Sequence, residues 1–423
     1  MVLSRPPELV RPEPPITPPL APRTTTLGLP ERPWWADDER TGWEPSVPRR
    51  VALFTETFLP RVDGIVNTLC WTLKGLVAAG CEPLVVAPVG NTEEFLGVRV
   101  VGASSAQFPL YSEVRLAAIG PGIWRQLDEF RPDLIHLVGP VTNGLSGLLY
   151  AQARGLPVVS SFHTDLPRYS HHYSLGWLES GLWRALRAIH NRCAVTLCPS
   201  HTLIRQLRGH GFERLRYWSR GVDAEQFSPA RRSATMRARL GGVDGTPLLL
   251  FVGRLAREKR VDQLVALLRG MPNARLAIVG DGPARAELEA QFGDLPVTFT
   301  GYLRGAELAA AYASSDLFVF PSDSEAFGNV VLEAMASGLP VVAAAAGGVL
   351  DLVAPEETGL LVAPGDAAEL EVAVRRYLND PELHRRHAAA ARAAALARTW
   401  ERQQQLLLRH YSSVMAARSP RAA

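Results

Sequence analysis

Short, wholly apolar runs alternate with longer stretches of helical periodicity along most of this chain. The first run is Val51–Phe54. A polar, glycine-containing loop follows (Thr55 to Gly64), then a helical stretch from Ile65 to Ala79 that ends at Gly80. Further runs are Leu84–Ala87, Leu134–Val138, Pro157–Ser160 and Val195–Cys198, with a helical stretch at Leu145–Arg154. The rhythm restarts at Leu248–Val252 and continues through Leu276–Val279, Val297–Thr300, Leu317–Phe320, Val341–Ala343 and Leu360–Val362. Short apolar runs between helices predict parallel strands buried on both faces of a sheet. The pattern predicts an α/β protein of two doubly wound, Rossmann-like domains in tandem, at residues 49–228 and 247–380. Residues 229–246, rich in glycine and proline, read as the linker. Residues 381–423 read as helices that pack back on the first domain. Such sheets bind ligands beyond the carboxyl ends of their strands, so the chemistry is expected in the cleft between the domains.

Composition adds three things. Residues 1–48 hold twelve of the 33 prolines and no apolar periodicity, which reads as a disordered tail. The four cysteines (Cys70, Cys81, Cys193, Cys198) are too few for a disulfide framework and have no zinc-site spacing, so they read as reduced core thiols. No apolar run approaches the ~18 residues of a membrane span, and no signal-type stretch opens the chain. A cytoplasmic protein is expected, with the inner face of the cell membrane as a candidate location. The net charge of +3 suggests no nucleic-acid partner. Charge is concentrated, however: between His163 and Arg220 nine arginines face only Asp165, Glu179 and Glu213. That stretch, 163–220, is a candidate for peripheral contact with an anionic membrane.

Two segments carry candidate chemistry. Gly253-Arg254-Leu255-Ala256-Arg257-Glu258-Lys259 follows an expected strand, and two cations at a strand end can neutralise a diphosphate. Ser324-Glu325-Ala326-Phe327-Gly328-Asn329-Val330-Val331-Leu332-Glu333 follows another, with a helix expected to start near Gly328. Free N–H groups at such a start hold an anion. Glu325, in the loop, can accept hydrogen bonds from sugar hydroxyls; Glu333, about one turn into the helix, can take a ribose diol. The turn Gly280-Asp-Gly-Pro283 is either part of a base pocket or a plain strand-to-helix turn.

Glu325 and Glu333 stand in an E-x7-E pattern followed by Ala-Met-Ala-Ser-Gly-Leu-Pro-Val-Val. With Gly253-Arg254-Leu and Glu258-Lys259, this resembles the retaining glycosyltransferases of GT-B fold, group 1 or family 4, over roughly residues 50–415. The resemblance implies that Arg254 and Lys259 hold the donor diphosphate, Glu325 the donor sugar and Glu333 the ribose. It also implies that the Phe327, Gly328, Asn329 and Val330 amides contact sugar and phosphate. Pro60-Arg-Val-Asp-Gly64 resembles the family's glycine loop, where Gly64 lets the backbone approach the phosphates. His163 in Phe162-His-Thr-Asp165 takes the place of the histidine that lines the cleft beside the reacting sugar. The catalytic set so implied is His163, Arg254, Lys259 and Glu325.

The stretches His163–Leu178 and Arg220-Gly-Val-Asp223 resemble the branch with sulfoquinovosyl-diacylglycerol synthases and GDP-mannose-dependent lipid mannosyltransferases. This implies a hexosyltransferase with a nucleotide-sugar donor and a lipid or lipid-linked acceptor. The apolar stripe Leu178, Leu182, Leu186, Ile189 fits an interfacial helix and a core-facing helix equally. No Asp-x-Asp pair occurs, and neither a metal nor another cofactor is expected; the nucleotide sugar is a substrate. GDP-mannose and UDP-hexoses stay open as donors. A soluble sugar or polysaccharide acceptor, a non-catalytic sugar-nucleotide binder and an epimerase are the alternatives.

Overall fold

The computed structural model describes residues 47–60, 63–90, 92–108, 111–118, 120–163 and 179–417, with the backbone alone for 105–108 and 111–118. The expectation for the tail falls almost wholly outside these residues, as does the start of the striped helix. Two sheets lie within one compact unit.

The first sheet is built from β1 (Arg50–Thr55), β2 (Glu82–Pro88), β3 (Glu94–Phe95), β4 (Val98–Phe108), β5 (Tyr111–Ala118), β6 (Leu134–Val138), β7 (Val158–Ser161), β8 (Val195–Cys198) and β9 (Leu215–Tyr217). Their order is β3-β4-β2-β1-β6-β7-β8-β9, with β5 also on β4. All pairings are parallel except those of β3 and β5 with β4. Helices α1 (Gly64–Ala78), α2 (Pro121–Phe130), α3 (Thr142–Arg154), α4 (Glu179–His190) and α5 (His201–Gly209) connect these strands. Successive β1 residues point to opposite faces, Val51 and Leu53 into one cluster of the core and Ala52 and Phe54 into another. That two-sided burial is why the strand reads as an unbroken apolar run.

The second sheet runs β12-β11-β10-β13-β14-β15, entirely parallel. Its strands are β10 (Leu248–Val252), β11 (Arg275–Val279), β12 (Val297–Gly301), β13 (Leu317–Phe320), β14 (Val341–Ala344) and β15 (Gly359–Val362). Order reverses between β1 and β6 in the first sheet and between β10 and β13 in the second. These are the switch points where a doubly wound sheet opens a crevice.

Two stretches differ from their expected roles. Residues 229–246 carry a short 3-10 turn and helix α6 (Ala234–Arg239), whose Met236 and the following Leu240 are buried in the second core. Arg237 reaches both oxygens of Asp316, at 3.1 and 2.9 Å, just ahead of β13. The glycines and prolines flank a docked helix, so this stretch is part of the second lobe. The C-terminal helices divide between the lobes. Of the helices α7 (Gln263–Gly270), α8 (Arg285–Phe292), α9 (Gly305–Ser314), α10 (Asn329–Ala336), α11 (Ala367–Asn379) and α12 (Pro381–Leu396), the last packs against α10 in the second lobe. Helix α13 (Trp400–Ala416) crosses to the first lobe, where Leu407 and Tyr411 enter the core beside Val51 and Leu53. Trp71 of α1 stacks on Trp400, with ring centroids 5.5 Å apart.

The described part of α4 settles the striped helix. Trp183 and Leu186 are buried against Phe162, Leu207 and Phe212, and Leu182 and Ile189 are half-buried, so the described part of the stripe faces the core. Arg184 and Arg187 on its other side are exposed. The four cysteines are free thiols; Cys70 is half-buried and the other three are buried.

Candidate active site

The β10 and β13 strands lie side by side, and their carboxyl ends bring two of the expected segments together. Arg254 leaves β10 and pairs with Glu258, whose side chain is only 1% exposed. Lys259, in a 3-10 turn over Arg257–Lys259, pairs with Glu325 from the loop after β13; their side chains are 13% and 15% exposed. An ionised carboxylate as buried as Glu258 would cost several kcal/mol if left alone, and the Arg254 charge offsets this. Ser322 Oγ donates to Glu325 Oε1 at 3.2 Å or to the Glu258 carbonyl at 3.3 Å, tying the two loops together. Both cations are thus held in place by carboxylates of the protein.

The loop around Glu325 is shaped by glycines further along the chain. Gly347 has φ 55°, and a Cβ there would lie 2.1 Å from the Glu325 carbonyl oxygen. The Gly348 N–H donates to that same oxygen at 2.8 Å. On the β10 side the Gly280–Pro283 turn braces the Arg254 loop: Leu255 N–H donates to the Asp281 carbonyl at 3.0 Å. Bracing the arginine loop is the role this turn shows here.

Helix α10 begins immediately after Gly328, which has φ 102° and contributes no side-chain cap. The first-turn N–H groups of a helix have no carbonyl partner inside it, and the macrodipole adds positive potential there. Across the cleft stands the start of α1, capped by Asp63, which accepts from Ile65 N–H and Val66 N–H at 2.9 Å. A Cβ on Gly64 would lie 3.0 Å from Asn329 Nδ2, so these two expected residues face each other between the lobes. Phe327 is buried in the second core. Its side chain anchors the loop, and only its backbone is left for a ligand. Asn329 and Val330 are half-buried.

Glu333 lies further into α10. The buried Tyr312 hydroxyl donates to its Oε2 at 2.9 Å. Burial pushes the carboxyl up to about 7, against the lowering effect of that hydrogen bond.

His163 follows β7 in the first lobe, and its partners fix its proton. Arg220 Nη2 donates to His163 Nδ1 at 2.9 Å, and a guanidinium has no acceptor. The ring proton therefore sits on Nε2 and is donated to Ser161 Oγ at 2.7 Å. Ser161 donates in turn to His136 Nε2 at 3.0 Å, and His136 Nδ1–H to Tyr411 Oη at 2.6 Å. Burial, then the Arg220 charge, holds His163 well below the usual histidine range. The same two causes bring His136 to about 3. His163 is thus a neutral, oriented ring with both nitrogens engaged. It does not meet the second-lobe residues through any of these bonds.

Several residues at the site were not singled out from the sequence. Glu56 bridges the first switch point, accepting from Val141 N–H at 2.9 Å and Gly144 N–H at 3.1 Å. Burial raises its carboxyl above the usual range despite these bonds. Ser200 Oγ donates to the Ala326 carbonyl at 3.1 Å, pinning the Glu325 loop from the opposite lobe. Asp351 accepts from His201 N–H and Thr202 N–H at 3.0 and 3.1 Å, capping α5 from across the cleft. Helix caps and buried carboxylates are recognisable chemistry, but these pairs are more than eighty residues apart in sequence.

The family pattern of glycosyl transferases group 1 matches residues 233–394, and that of Glycosyltransferase Family 4 matches residues 62–226. The chain is 41% identical to a GDP-mannose-dependent alpha-mannosyltransferase of Mycolicibacterium smegmatis over 88% of its own length and 100% of that protein. The chain belongs to the group 1 glycosyltransferases. It is also 41% identical to the sulfoquinovosyl transferase SQD2 of Arabidopsis thaliana, over 82% of this chain and 70% of that one. Among solved structures, sucrose-phosphate synthase from Thermosynechococcus elongatus superposes with a TM-score of 0.73 at 24% identity, over 87% of this transferase and 100% of that chain. Anabaena HepE in complex with UDP and glucose gives 0.71 at 21%, over 86% and 99%. These likenesses give the fold, GT-B.

Two outcomes follow for this glycosyltransferase. Lys259→Ala and Glu325→Ala are each expected to lower turnover by about 10²-fold or more, the scale of a lost transition-state charge contact; near-normal rates in both would put the site elsewhere. As a diol acceptor Glu333 has to ionise, which its raised value near 7 opposes at lower pH. Nucleoside diphosphate affinity, measured by calorimetry, is then expected to rise as pH passes through about 7 and to level off above it. Glu333→Gln should flatten that profile. A profile already flat in the unaltered protein would remove Glu333 from the diol role.

Proposed function

We propose that this enzyme transfers mannose from GDP-mannose to a lipid or lipid-linked acceptor, with retention of configuration. The observation that carries the reading is the 41% identity to the Mycolicibacterium smegmatis enzyme across that protein's whole length. A GDP-mannose-dependent alpha-mannosyltransferase of Corynebacterium glutamicum, 36% identical over 90% of its length, supports it as well. A second transferred sugar, sulfoquinovose, has specific support in the 41% identity to the sulfoquinovosyl transferase SQD2, and UDP-hexoses stay open as its donor class. Lipid as the acceptor class is supported by an alpha-monoglucosyldiacylglycerol synthase of Streptococcus pneumoniae, 26% identical over 70% of each chain.

In this reading Arg254 and Lys259 take the diphosphate, and Glu258 and Glu325 hold them until it arrives. The α10 terminus, through the amides from Phe327 to Val330, adds N–H donors and positive potential. Gly64 keeps the facing lobe close. Glu325 binds the donor sugar and Glu333 the ribose. His163 orients the wall beside the reacting sugar as a neutral group, so the protein contributes positioning and electrostatics more than proton transfer. The same cations replace a divalent metal on the leaving nucleotide. Contact with anionic lipid is assigned to the arginine-rich face of α4 and α5, where Arg184, Arg187, Arg205 and Arg208 are exposed. No described helix is long and apolar enough to cross a membrane.

A donor screen tests the proposal: purified protein, labelled nucleotide sugars, total lipid extract as acceptor, and chelator throughout. Label is expected in the lipid phase from GDP-mannose. Label from a UDP-hexose alone would favour the second donor class. Label confined to water-soluble product for every donor would rule out a lipid acceptor.

A further inference from the structure

Arg220 is 4% exposed, yet no carboxylate among the described residues is bonded to it. Its guanidinium has two kinds of neighbour. Nη2 donates to His163 Nδ1 at 2.9 Å, and the Trp218 ring lies 5.2 Å away. Nη1 is buried and has no hydrogen-bond partner among the described residues. The groups whose negative charge could offset it are Cys198 and Tyr217. Burial pushes the Cys198 thiol up to about 12 and raises the Tyr217 phenol as well, so both are neutral at ordinary pH. A guanidinium keeps its charge there. A buried cation without a counter-charge is costly, and even the half-buried cations Arg254 and Lys259 are paired, with Glu258 and Glu325.

Its place in the fold makes the exception meaningful. Residues 220–222 are where the chain leaves the first lobe, alongside the returning segment at Arg398–Trp400. Val222 N–H donates to the Arg398 carbonyl at 3.0 Å, and a Cβ on Gly221 would lie 2.4 Å from Trp400 N. This crossing lies between the lobes. The partner His163 follows the carboxyl end of β7, the end of a parallel sheet at which ligands bind. The guanidinium, with no counter-charge among the described residues, therefore sits on the first-lobe side beside the residue that follows β7, and its hydrogen bond and ring contact are with His163 and Trp218 rather than with the Arg254 and Lys259 pairs.

We propose that Arg220 recognises an oxyanion (a carboxylate, phosphate or sulfonate) carried by a substrate, donating to it from Nη1 while Nη2 keeps His163 oriented. The proposal rests on the transferase reading of the cleft. The oxyanion has two possible sources, the donor's diphosphate and an acidic acceptor. One guanidinium then links substrate recognition to the His163 ring: an anion drawn to Nη1 polarises the same group that fixes the histidine tautomer.

The test uses the full chain with Arg220→Gln and Arg220→Lys. Dissociation constants are measured for GDP, guanosine and inorganic phosphate. KM and kcat are measured with vesicles holding an acidic glycolipid acceptor or neutral diacylglycerol. Loss of a charge-assisted hydrogen bond corresponds to roughly ten- to hundred-fold. If the donor supplies the oxyanion, Arg220→Gln weakens GDP and phosphate by that factor and leaves guanosine alone. If the acceptor supplies it, KM rises by that factor for the acidic acceptor only. Arg220→Lys recovers most of the loss in either case. Should the Gln variant not fold, as judged by thermal unfolding, the Lys variant carries the comparison, with a smaller shift in the same direction. Equal losses for charged and neutral ligands, or a fall in kcat with every binding constant unchanged, would overturn the proposal and leave Arg220 as a support for His163. Failure of the transferase reading is distinguishable: no donor gives product with the unaltered protein, while the binding arms still report on Arg220.

Discussion

The proposed donor side of this molecule depends on two ion pairs at the ends of adjacent strands. Arg254 and Lys259 lie within a few residues of one another after β10, and either alone would repel the other in a half-buried crevice. Glu258 and Glu325 resolve this by supplying one carboxylate to each cation. The pairing keeps long, flexible side chains in position before any ligand is present, which lowers the ordering cost of binding. In the proposed reading it also sets the condition for binding: an incoming diphosphate has to offer each cation more than the carboxylate it already has. The parallel register of β10 and β13 makes this possible, because it brings both loops out at the same edge of the sheet.

The second constraint is the seam between the lobes. Ser200 pins the Ala326 carbonyl, Asp351 caps α5, and α13 leaves the second lobe to enter the first core. Each of these ties a functional loop to the opposite sheet. The chain crosses between the lobes at two neighbouring points, near Val222 and near Thr399, which pair as an isolated parallel bridge. Arg220 sits at this crossing, and its bond to His163 connects the crossing to the end of β7 through Ser161, His136 and Tyr411. A buried chain in which one guanidinium fixes every proton in order has little freedom to rearrange.

Much of the fold was legible because its strands are buried on both faces. Leu248–Val252 and Val51–Phe54 admit no polar residue, and nothing but a covered sheet explains such runs between helices. Strands β3, β4 and β5, at one end of the first sheet, have no such run, because residues 94–118 mix polar and apolar positions. Residues 229–246 misled because glycine and proline mark helix ends as readily as linkers; burial of Met236 and Leu240 decides between them. The stripe of α4 was ambiguous because periodicity reports an apolar face and not what covers it. In the site, the segments around Arg254 and Glu325 stood out by spacing. Asp351 and Tyr312 did not, and Arg220 stood out only as part of the Arg220-Gly-Val-Asp223 stretch, because each acts through a partner far away in sequence and no local pattern records such a pairing.

The central claim is that protein cations, and not a divalent metal, meet the charge of the donor diphosphate. Calorimetric titration of GDP into the protein with chelator present tests it most directly, using the unaltered chain and the Arg254→Gln, Lys259→Gln double variant. The account predicts binding by the unaltered chain that is indifferent to the chelator, weakened roughly hundred-fold or more in the double variant at two lost charge-assisted contacts. Binding that appears only when a divalent metal is restored, or that survives in the double variant, would contradict it.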